Sequence, residues 1–399
     1  MEKPFSSALP VLDAILNAGF EAYFVGGAVR DHVLSKPVDD IDIATSARPE
    51  EIKNIFSKTV DIGIDHGTIL VLHKGNSYEV TTFRTESGYK DFRRPDKVEF
   101  VSNLNEDLKR RDFTMNAMAM DKEGNLLDPF GGREDIESRQ IKTVGKPSER
   151  FGEDALRVMR ATRFASQLGF TIEAQTYSSL AESAHLLKHI AVERKRVEFE
   201  KLFLGANRKI GLGLLCSTGM LQYLPGLSGK EAELQKMIDC KVEILGLNEM
   251  WALLLQSIDA VDKEAESILR EWKLPSRQIK EILDIFKYFR FRLKNEWDAL
   301  SLFNAGKNGI ASAEKLIMAT SSGDFANKVD EWLSRYDSLP IKSRDKLAVS
   351  GGDLLQWYGK NGGPWVRDML NTVEKAVLEG NVANEKDTIR EWLLRCNQK

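Results

Sequence analysis

The stretch Ala22–Ala44, AYFVGGAVRDHVLSKPVDDIDIA, decides how the chain is read. A short apolar run, Ala22 to Val25, meets a Gly26-Gly27 break. A brief helix carrying Arg30 and Asp31 follows, then a loop, then the alternating run Asp40-Ile41-Asp42-Ile43. Successive side chains of a strand face opposite ways, so Asp40 and Asp42 are expected on one face while Ile41 and Ile43 bury on the other. Two carboxylates one pleat apart suit a hard cation. Mg²⁺ fits best, because it takes one or two carboxylates and fills its other positions with water and substrate phosphate. The glycine pair, placed where a strand turns into a helix, lets backbone N–H groups approach a phosphate, and Arg30 one turn on can reach the same anion. Either element alone is weak, since Asp-x-Asp also describes a solvated strand edge and Gly-Gly an ordinary turn. Together they describe a phosphate-plus-metal site with Asp40 and Asp42 as the metal ligands and catalytic carboxylates.

The rest of the composition sets bounds. A chain of 399 residues exceeds one ordinary core and predicts several modules, while 42% apolar and 29% charged residues describe a folded, water-facing protein. Its N-terminus lacks a basic segment leading into an apolar run, and no stretch approaches 18 uninterrupted apolar residues, so neither secretion nor membrane insertion is expected. Cys216, Cys240 and Cys396 are too scattered for a disulfide framework or a zinc site and fit a reducing cytoplasm. None of the five histidines is followed by Asp, which argues against a His-Asp metal hydrolase. The net charge of -3 does not exclude nucleic acid, because binding depends on local basic surface, and basic clusters occur at Lys109-Arg110-Arg111, Arg194-Lys195-Arg196 and Arg290 to Lys294.

Taken in order, residues 1–145 mix strands with short helices and predict an α+β head. Helices are expected over Pro10 to Ala18, Pro49 to Phe56 and Glu106 to Ala117, and strands over Thr68 to His73 and Tyr78 to Phe83. The polar segment FRTESGYKDFRRPDKV, with Gly88 and Pro95, is expected as a mobile loop, and Asp121 to Leu127 as a hairpin around Gly124. Beyond about residue 146 the strand signal vanishes. Helical spacing covers Arg150 to Gly169, Ala191 to Leu204, Trp251 to Ser257, Gln278 to Phe291 and Trp365 to Glu379, punctuated at Leu224-Pro225-Gly226, Leu274-Pro275-Ser276 and Gly362-Gly363-Pro364. An all-helical remainder appended to a small catalytic head calls for a large or elongated ligand.

Two further constellations carry chemistry. Arg110-Arg111-Asp112, followed by Thr114 and Asn116, couples a guanidinium able to clamp phosphate with a carboxylate able to accept from a ribose hydroxyl, although a surface ion pair would use the same residues. In EDALRVMRATR, residues three apart are helical neighbours, so Asp154, Arg157, Arg160 and Arg163 are expected to form one slowly turning stripe. Its plain reading is an i,i+3 ion pair with surface charge. Its sharper reading makes Asp154 and Arg157 a protein-borne Watson–Crick edge. Carboxylate accepts from an exocyclic amine and guanidinium donates to the adjacent ring acceptor, a pattern that cytosine and adenine share and guanine and uracil reverse. Arg160 and Arg163 could hold phosphate or brace the stripe. The charged helix Val192 to Lys201 is expected as structural support for this one.

The ordered set Gly26-Gly27-x-x-Arg30-Asp31, Asp40-x-Asp42, Arg110-Arg111-Asp112, Glu153-Asp154-x-x-Arg157 and Glu193-Arg194 resembles the motif series of the class II tRNA nucleotidyltransferases, the CCA-adding enzymes. Leu339-Pro340-Ile341-Lys342 and Gly363-Pro364-Trp365-Val366 look like the tail of the bacterial members. The resemblance implies a seahorse-like, elongated molecule: a DNA polymerase β-type head at 1–145, a nucleotide-recognising helical neck at 146–205, a helical body at 206–290 and a tRNA-binding tail at 291–399. It implies transfer of CMP, CMP and AMP from CTP and ATP onto the tRNA 3′ end, with Mg²⁺ and without a nucleic-acid template, by a cytoplasmic monomer or homodimer. Under it Gly27 and Arg30 would contact triphosphate, Arg111 and Asp112 the sugar side, Asp154 and Arg157 the base, and Arg160 and Arg163 the remaining nucleotide surface. Glu79, on a neighbouring strand, is a candidate third carboxylate. The uninterrupted loop Arg84 to Pro95, with Asp91, Arg93 and Arg94, resembles enzymes that complete the terminal A, and Asp61 to Thr68 lacks the Gly-Arg-Arg-Phe string associated with bacterial poly(A) polymerases. A poly(A) polymerase or A-adding relative shares the same motifs, whereas a non-catalytic tRNA-binding protein would have no use for Asp40 and Asp42.

Overall fold

The structure, a computed structural model, describes residues 3–63, 66–90, 92, 94–321 and 326–396. Two compact units divide it, Met1–Glu231 and Ala232–Lys399.

The first unit is built on a sheet of β1 (Ala22–Val25), β2 (Asp42–Thr45), β3 (Thr59–Gly63), β4 (Thr68–His73), β5 (Asn76–Thr82), β8 (Ala119–Met120) and β9 (Leu126–Leu127), ordered β3-β4-β5-β2-β1-β8-β9. Every neighbouring pair is antiparallel except β2 and β5, which run parallel with Asp42 beside Glu79. Residues paired across a ladder share a face. One face therefore carries Phe24 and packs on helix α1 (Phe5–Asn17), where the Phe5 and Phe24 rings meet edge-on at 5.1 Å. The other carries Val25, Ala44 and Asp42 and packs on α4 (Leu104–Lys109) through Leu104 and Leu108. The carboxylates thus stand on the face away from α1. Helices α2 (Gly27–Val33), α3 (Pro49–Ile55) and α5 (Gly132–Glu137) complete this part.

Several sequence expectations shift here. Helix α1 begins before Pro10, which it contains. Strand β2 starts at Asp42, so Asp40 lies just ahead of it, although Ile41 and Ile43 are buried as the alternation requires. The segment expected as a mobile loop is a hairpin of β6 (Arg84–Lys90) and β7 (Arg94–Phe100), because its backbone pairs from strand to strand whatever its side chains; Asp91, Arg93 and the side chain of Arg94 lie outside what is described. The helix expected over Glu106 to Ala117 stops at Lys109, and Thr114–Asn116 forms a separate 3₁₀ turn. Phe113 between them takes an extended conformation and is fully buried, so tertiary packing overrides helical spacing.

Helices α6 (Pro147–Glu153), α7 (Leu156–Leu168), α8 (Ala174–Ser183), α9 (Val192–Phe203) and α10 (Arg208–Ser217) continue the unit. The strand signal does not end entirely at 146, since β11 (Thr171–Ile172) pairs in parallel with β10 (Gln140–Ile141). The expected single helix from Arg150 to Gly169 is two: Asp154 takes φ -133°, ψ 103° and separates α6 from α7.

The second unit is helical: α11 (Glu231–Asp239), α12 (Leu247–Ser257), α13 (Asp262–Glu271), α14 (Ser276–Arg292), α15 (Ala299–Thr320), α16 (Ala326–Asp337), α17 (Gly351–Tyr358), α18 (Pro364–Leu378) and α19 (Lys386–Cys396). Trp251 and Trp272 meet edge-on at 5.3 Å, and Trp297, Trp332, Leu354 and Ile389 belong to one apolar core. Within it Glu314 is completely buried and accepts from Arg292 Nε at 2.6 Å and Trp297 Nε1 at 2.7 Å. Among the described residues no helix is long and apolar enough to cross a membrane.

Candidate active site

The strand-to-helix break after β1 is made by Gly26, whose φ of 73° and ψ of -136° no residue with a side chain adopts readily. A Cβ there would lie 3.2 Å from Arg111 Nη1 and 3.5 Å from Asp42 Oδ2, so the glycine leaves room for both groups. Spacing had pointed to the glycine pair as a whole, and of the two it is Gly26 that takes the positive φ. Asp42 is pushed up to about 6 by burial and by the charges of Glu79 and Asp40, with Arg111 only partly opposing them. That is a carboxylate short of positive charge.

Beside it runs a polar network. Asp112 Oδ2 accepts from Arg160 Nε at 2.7 Å, and its Oδ1 accepts from Asn116 Nδ2 at 3.1 Å and from the Phe113 N–H at 2.8 Å. Burial alone would raise Asp112, yet Arg160, the Asn116 hydrogen bond and Arg157 outweigh it and hold the carboxyl well below the usual range. Asn116 Oδ1 in turn accepts from Arg30 Nη1 at 2.8 Å, while the other edge of Arg30 grips Asp31 through two bonds of 2.9 Å. The 3₁₀ turn carrying Asn116 is fixed from behind: a Cβ on Gly132 would sit 2.3 Å from the Thr114 carbonyl oxygen. Arg111 is tied to buried Asp107 at 3.2 Å.

At the α6–α7 joint the expected i,i+3 pair is absent. Asp154 instead faces Arg194 of α9, accepting from Nη2 at 3.1 Å and Nη1 at 3.4 Å, and its Oδ1 also accepts from the Leu156 N–H at 3.1 Å. Arg157 Nη1 donates to Glu153 Oε2 at 2.7 Å and to the Arg150 carbonyl at 3.1 Å, and Nη2 to the Arg110 carbonyl at 3.0 Å. Helix α9, expected as passive support, therefore supplies a side chain to the site. Its Glu198 also forms a 2.7 Å ion pair with Arg163, both groups buried. The tip of the β6–β7 hairpin reaches the same joint, where the Ala155 N–H donates to the Phe92 carbonyl at 3.1 Å and the Phe92 ring stacks on His189 at 4.9 Å.

Gly27, Arg30, Asp40, Asp42, Arg111, Asp112, Asp154, Arg157, Arg160 and Arg163 all line one cavity of about 760 Å³. So do Asn116, Phe164, Gln167, Arg194 and Lys201. Of these, Arg194 was visible in the Glu193-Arg194 motif, whereas nothing in residue spacing singles out Phe164 or Gln167. The cavity's carboxylate end fits a divalent cation, because Asp42 is buried against like charge with too little positive charge to offset it. Among the described residues no group of three or more acidic, His or Cys side chains converges closely enough to hold a metal ion by itself, so the remaining positions fall to water and substrate.

Comparison with known proteins shows the family. Residues 22–142 match the poly A polymerase head domain, 169–230 the probable RNA and SrmB-binding site of polymerase A, and 246–393 the putative tRNA nucleotidyltransferase domain 2. A CCA-adding enzyme of Geobacillus sp. (strain WCH70) is 48% identical over 100% of this chain and 98% of its own, and one of Geobacillus stearothermophilus is 46% identical over the same shares. The crystal structure of the Bacillus stearothermophilus CCA-adding enzyme in complex with CTP superposes with a TM-score of 0.94 at 44% identity, covering 100% of this chain and 98% of that one. With a polymerase-type head, helical segments after it in sequence and relatives of this identity along its full length, the chain belongs to the bacterial class II CCA-adding enzymes.

Proposed function

We propose that the protein builds and repairs the 3′-terminal CCA of tRNA, transferring CMP, CMP and AMP from CTP and ATP without a nucleic-acid template. One observation carries this reading: the carboxylate pair, the guanidinium network and the Asp154–Arg157 edge share a single cavity. The primer 3′ hydroxyl gives up its proton to solvent as its oxygen forms a bond to the α-phosphorus, the bond from that phosphorus to the α–β bridging oxygen breaks, and pyrophosphate leaves. Asp40 and Asp42 would hold the divalent cation, Mg²⁺ in this reading, which lowers the pKa of the primer hydroxyl and neutralises the leaving oxygens. Glu79, beside Asp42 in the ladder, adds its negative charge to the same end of the cavity. Arg30 and Arg111 bind phosphate, and Asp112, held ionised by Arg160, offers its remaining acceptor capacity to ribose hydroxyls.

Base choice rests on Asp154 and Arg157. Arg194 orients the Asp154 carboxylate and leaves lone pairs for an exocyclic amine. Arg157 is fixed by Glu153 and two backbone carbonyls, which leaves Nε–H and one N–H of Nη2 for a ring acceptor. Hydrogen bonds from Arg157 to backbone carbonyls, and from the Leu156 N–H to Asp154, thus pre-set the reading edge, and in this reading the hairpin tip on the same joint adjusts it between C and A. In this reading helices of the second unit supply tRNA contacts, with the tail at 291–399, and the reaction runs in the cytoplasm, a reading that the scattered cysteines support.

The test is incubation of a tRNA ending at its discriminator base with CTP, ATP and Mg²⁺, read at single-nucleotide resolution. The expected product is longer by C, C and A and stops there. A ladder of adenosines would make the protein a poly(A) polymerase, addition of A alone to a CC-ended tRNA an A-adding enzyme, and no extension a binding protein.

A further inference from the structure

We propose that Phe164 is a positioning residue, its ring the shared platform that sets the guanidiniums of Arg30, Arg160 and Arg163 toward the nucleotide. The ring is 3% exposed and lines the cavity. The guanidinium carbon of Arg163 lies 3.9 Å from its centroid, that of Arg30 5.3 Å and that of Arg160 5.5 Å. All lie inside the range over which the negative face of an aromatic ring attracts a cation. The ring is also braced by Phe113, met edge-on at 5.7 Å and 83°.

The three cations come from two elements, α2 and α7, and crowd one volume. Each has an anchor elsewhere: Arg30 on Asp31 and Asn116, Arg160 on Asp112, Arg163 on Glu198. Those anchors hold the hydrogen-bonding edges of the guanidiniums, two of them in Arg30, and leave their faces to the ring. The ring supplies what they lack, a common surface that fixes the planes relative to one another and partly offsets their mutual repulsion. A leucine of similar bulk would fill the space without that electrostatic face. This rests on the reading that these arginines meet the nucleotide.

The experiment uses the full-length protein and measures KM and kcat for ATP and CTP, KM for tRNA, and Tm, in Phe164→Leu, Phe164→Met, Phe164→Tyr and Arg30→Ala. With several desolvated cation–ring contacts weakened, Phe164→Leu and Phe164→Met should each raise nucleotide KM about tenfold or more, with kcat and tRNA KM within about twofold of wild type. Phe164→Tyr, which keeps the ring, should restore KM to within about twofold. Equal nucleotide KM in the Leu, Met and Tyr variants, with only Tm altered, overturns the platform and leaves Phe164 as packing. Should Phe164→Leu fail to fold, Phe164→Met and Phe164→Tyr decide between the same outcomes. If Arg30→Ala leaves nucleotide KM untouched, the nucleotide reading itself falls; if Arg30→Ala raises it and Phe164→Leu does not, only the platform falls.

Discussion

Asp112 in the first unit and Glu314 in the second are both buried carboxylates held by arginine, and they differ in where that arginine ends. Arg292, the partner of Glu314, is 7% exposed, so the pair is sealed among tryptophans. Arg160, the partner of Asp112, is 33% exposed and lines the cavity, as do Arg30 and Asn116 on either side. One pair is closed on itself and fixes a core. The other ends in donors that still face solvent and can change partner when an anion arrives. The same ion-pair chemistry serves architecture or binding according to whether its outer end is covered.

Asp42 carries the contrast furthest, as a carboxylate with no sufficient partner at all. Asp42→Asn should lower C and A addition alike by at least about a thousandfold, since the cation site supplies several kcal/mol of transition-state stabilisation, while tRNA affinity stays near wild type. Stability should move the other way. Because the folded value of Asp42, about 6, lies above its ordinary 3.8, the folded state binds the proton more tightly; that stabilisation is full below about pH 4 and is lost as pH rises through 6. The loss is about 3 kcal/mol. Without divalent cation the Asn variant should therefore gain Tm relative to wild type between pH 4 and 7, a gap that Mg²⁺ narrows. Wild-type turnover in Asp42→Asn, or a gap independent of pH, would remove Asp42 from the cation site.

Next in size is the reading edge. Replacing both Asp154 and Arg157 by Ala removes the groups that a wrong base would leave unpaired, so preference for ATP over GTP on a tRNA ending in CC should fall about a hundredfold or more. The check is kcat/KM for all four nucleotides. Unchanged preference would place Asp154 and Arg157 with Glu314, as structure alone.

The sealed pair predicts the smallest functional effect. Glu314→Ala strips the partner from buried Arg292 and should cost about 3–5 kcal/mol of unfolding free energy. In the fraction that remains folded, nucleotide KM and base preference should match wild type. A shift in either would show that the second unit's core communicates with nucleotide binding.

Much of this was legible in residue order. Asp40 and Asp42, Arg30, Asp112 and the α7 arginines were all found in one cavity because their chemistry is tied to short spacings on single elements. What escaped depends on contacts between elements. Asp154 looked helical because its neighbours are, yet the chain there is extended and its partner is Arg194, forty positions on. Phe113 broke an expected helix because it is needed in the core. The polar hairpin read as a loop because strand pairing without apolar alternation leaves little trace in composition. Phe164 is silent in sequence for the same reason, since an apolar residue on a helix is core until Arg30 of another helix is seen to join Arg160 and Arg163 around it.

Gly132 shows how far such indirect dependence reaches. It touches no charged group of the cavity and lies outside every motif, yet its bare Cα is pressed against the Thr114 carbonyl. A single methyl there must displace the turn, the turn carries Asn116, and Asn116 is the clasp between Arg30 and Asp112. The alignment of Arg30 is thus set by the thickness of one peptide group on the far side of a 3₁₀ turn, and in the proposed reading a substitution with no chemistry of its own would be felt as a nucleotide held slightly askew.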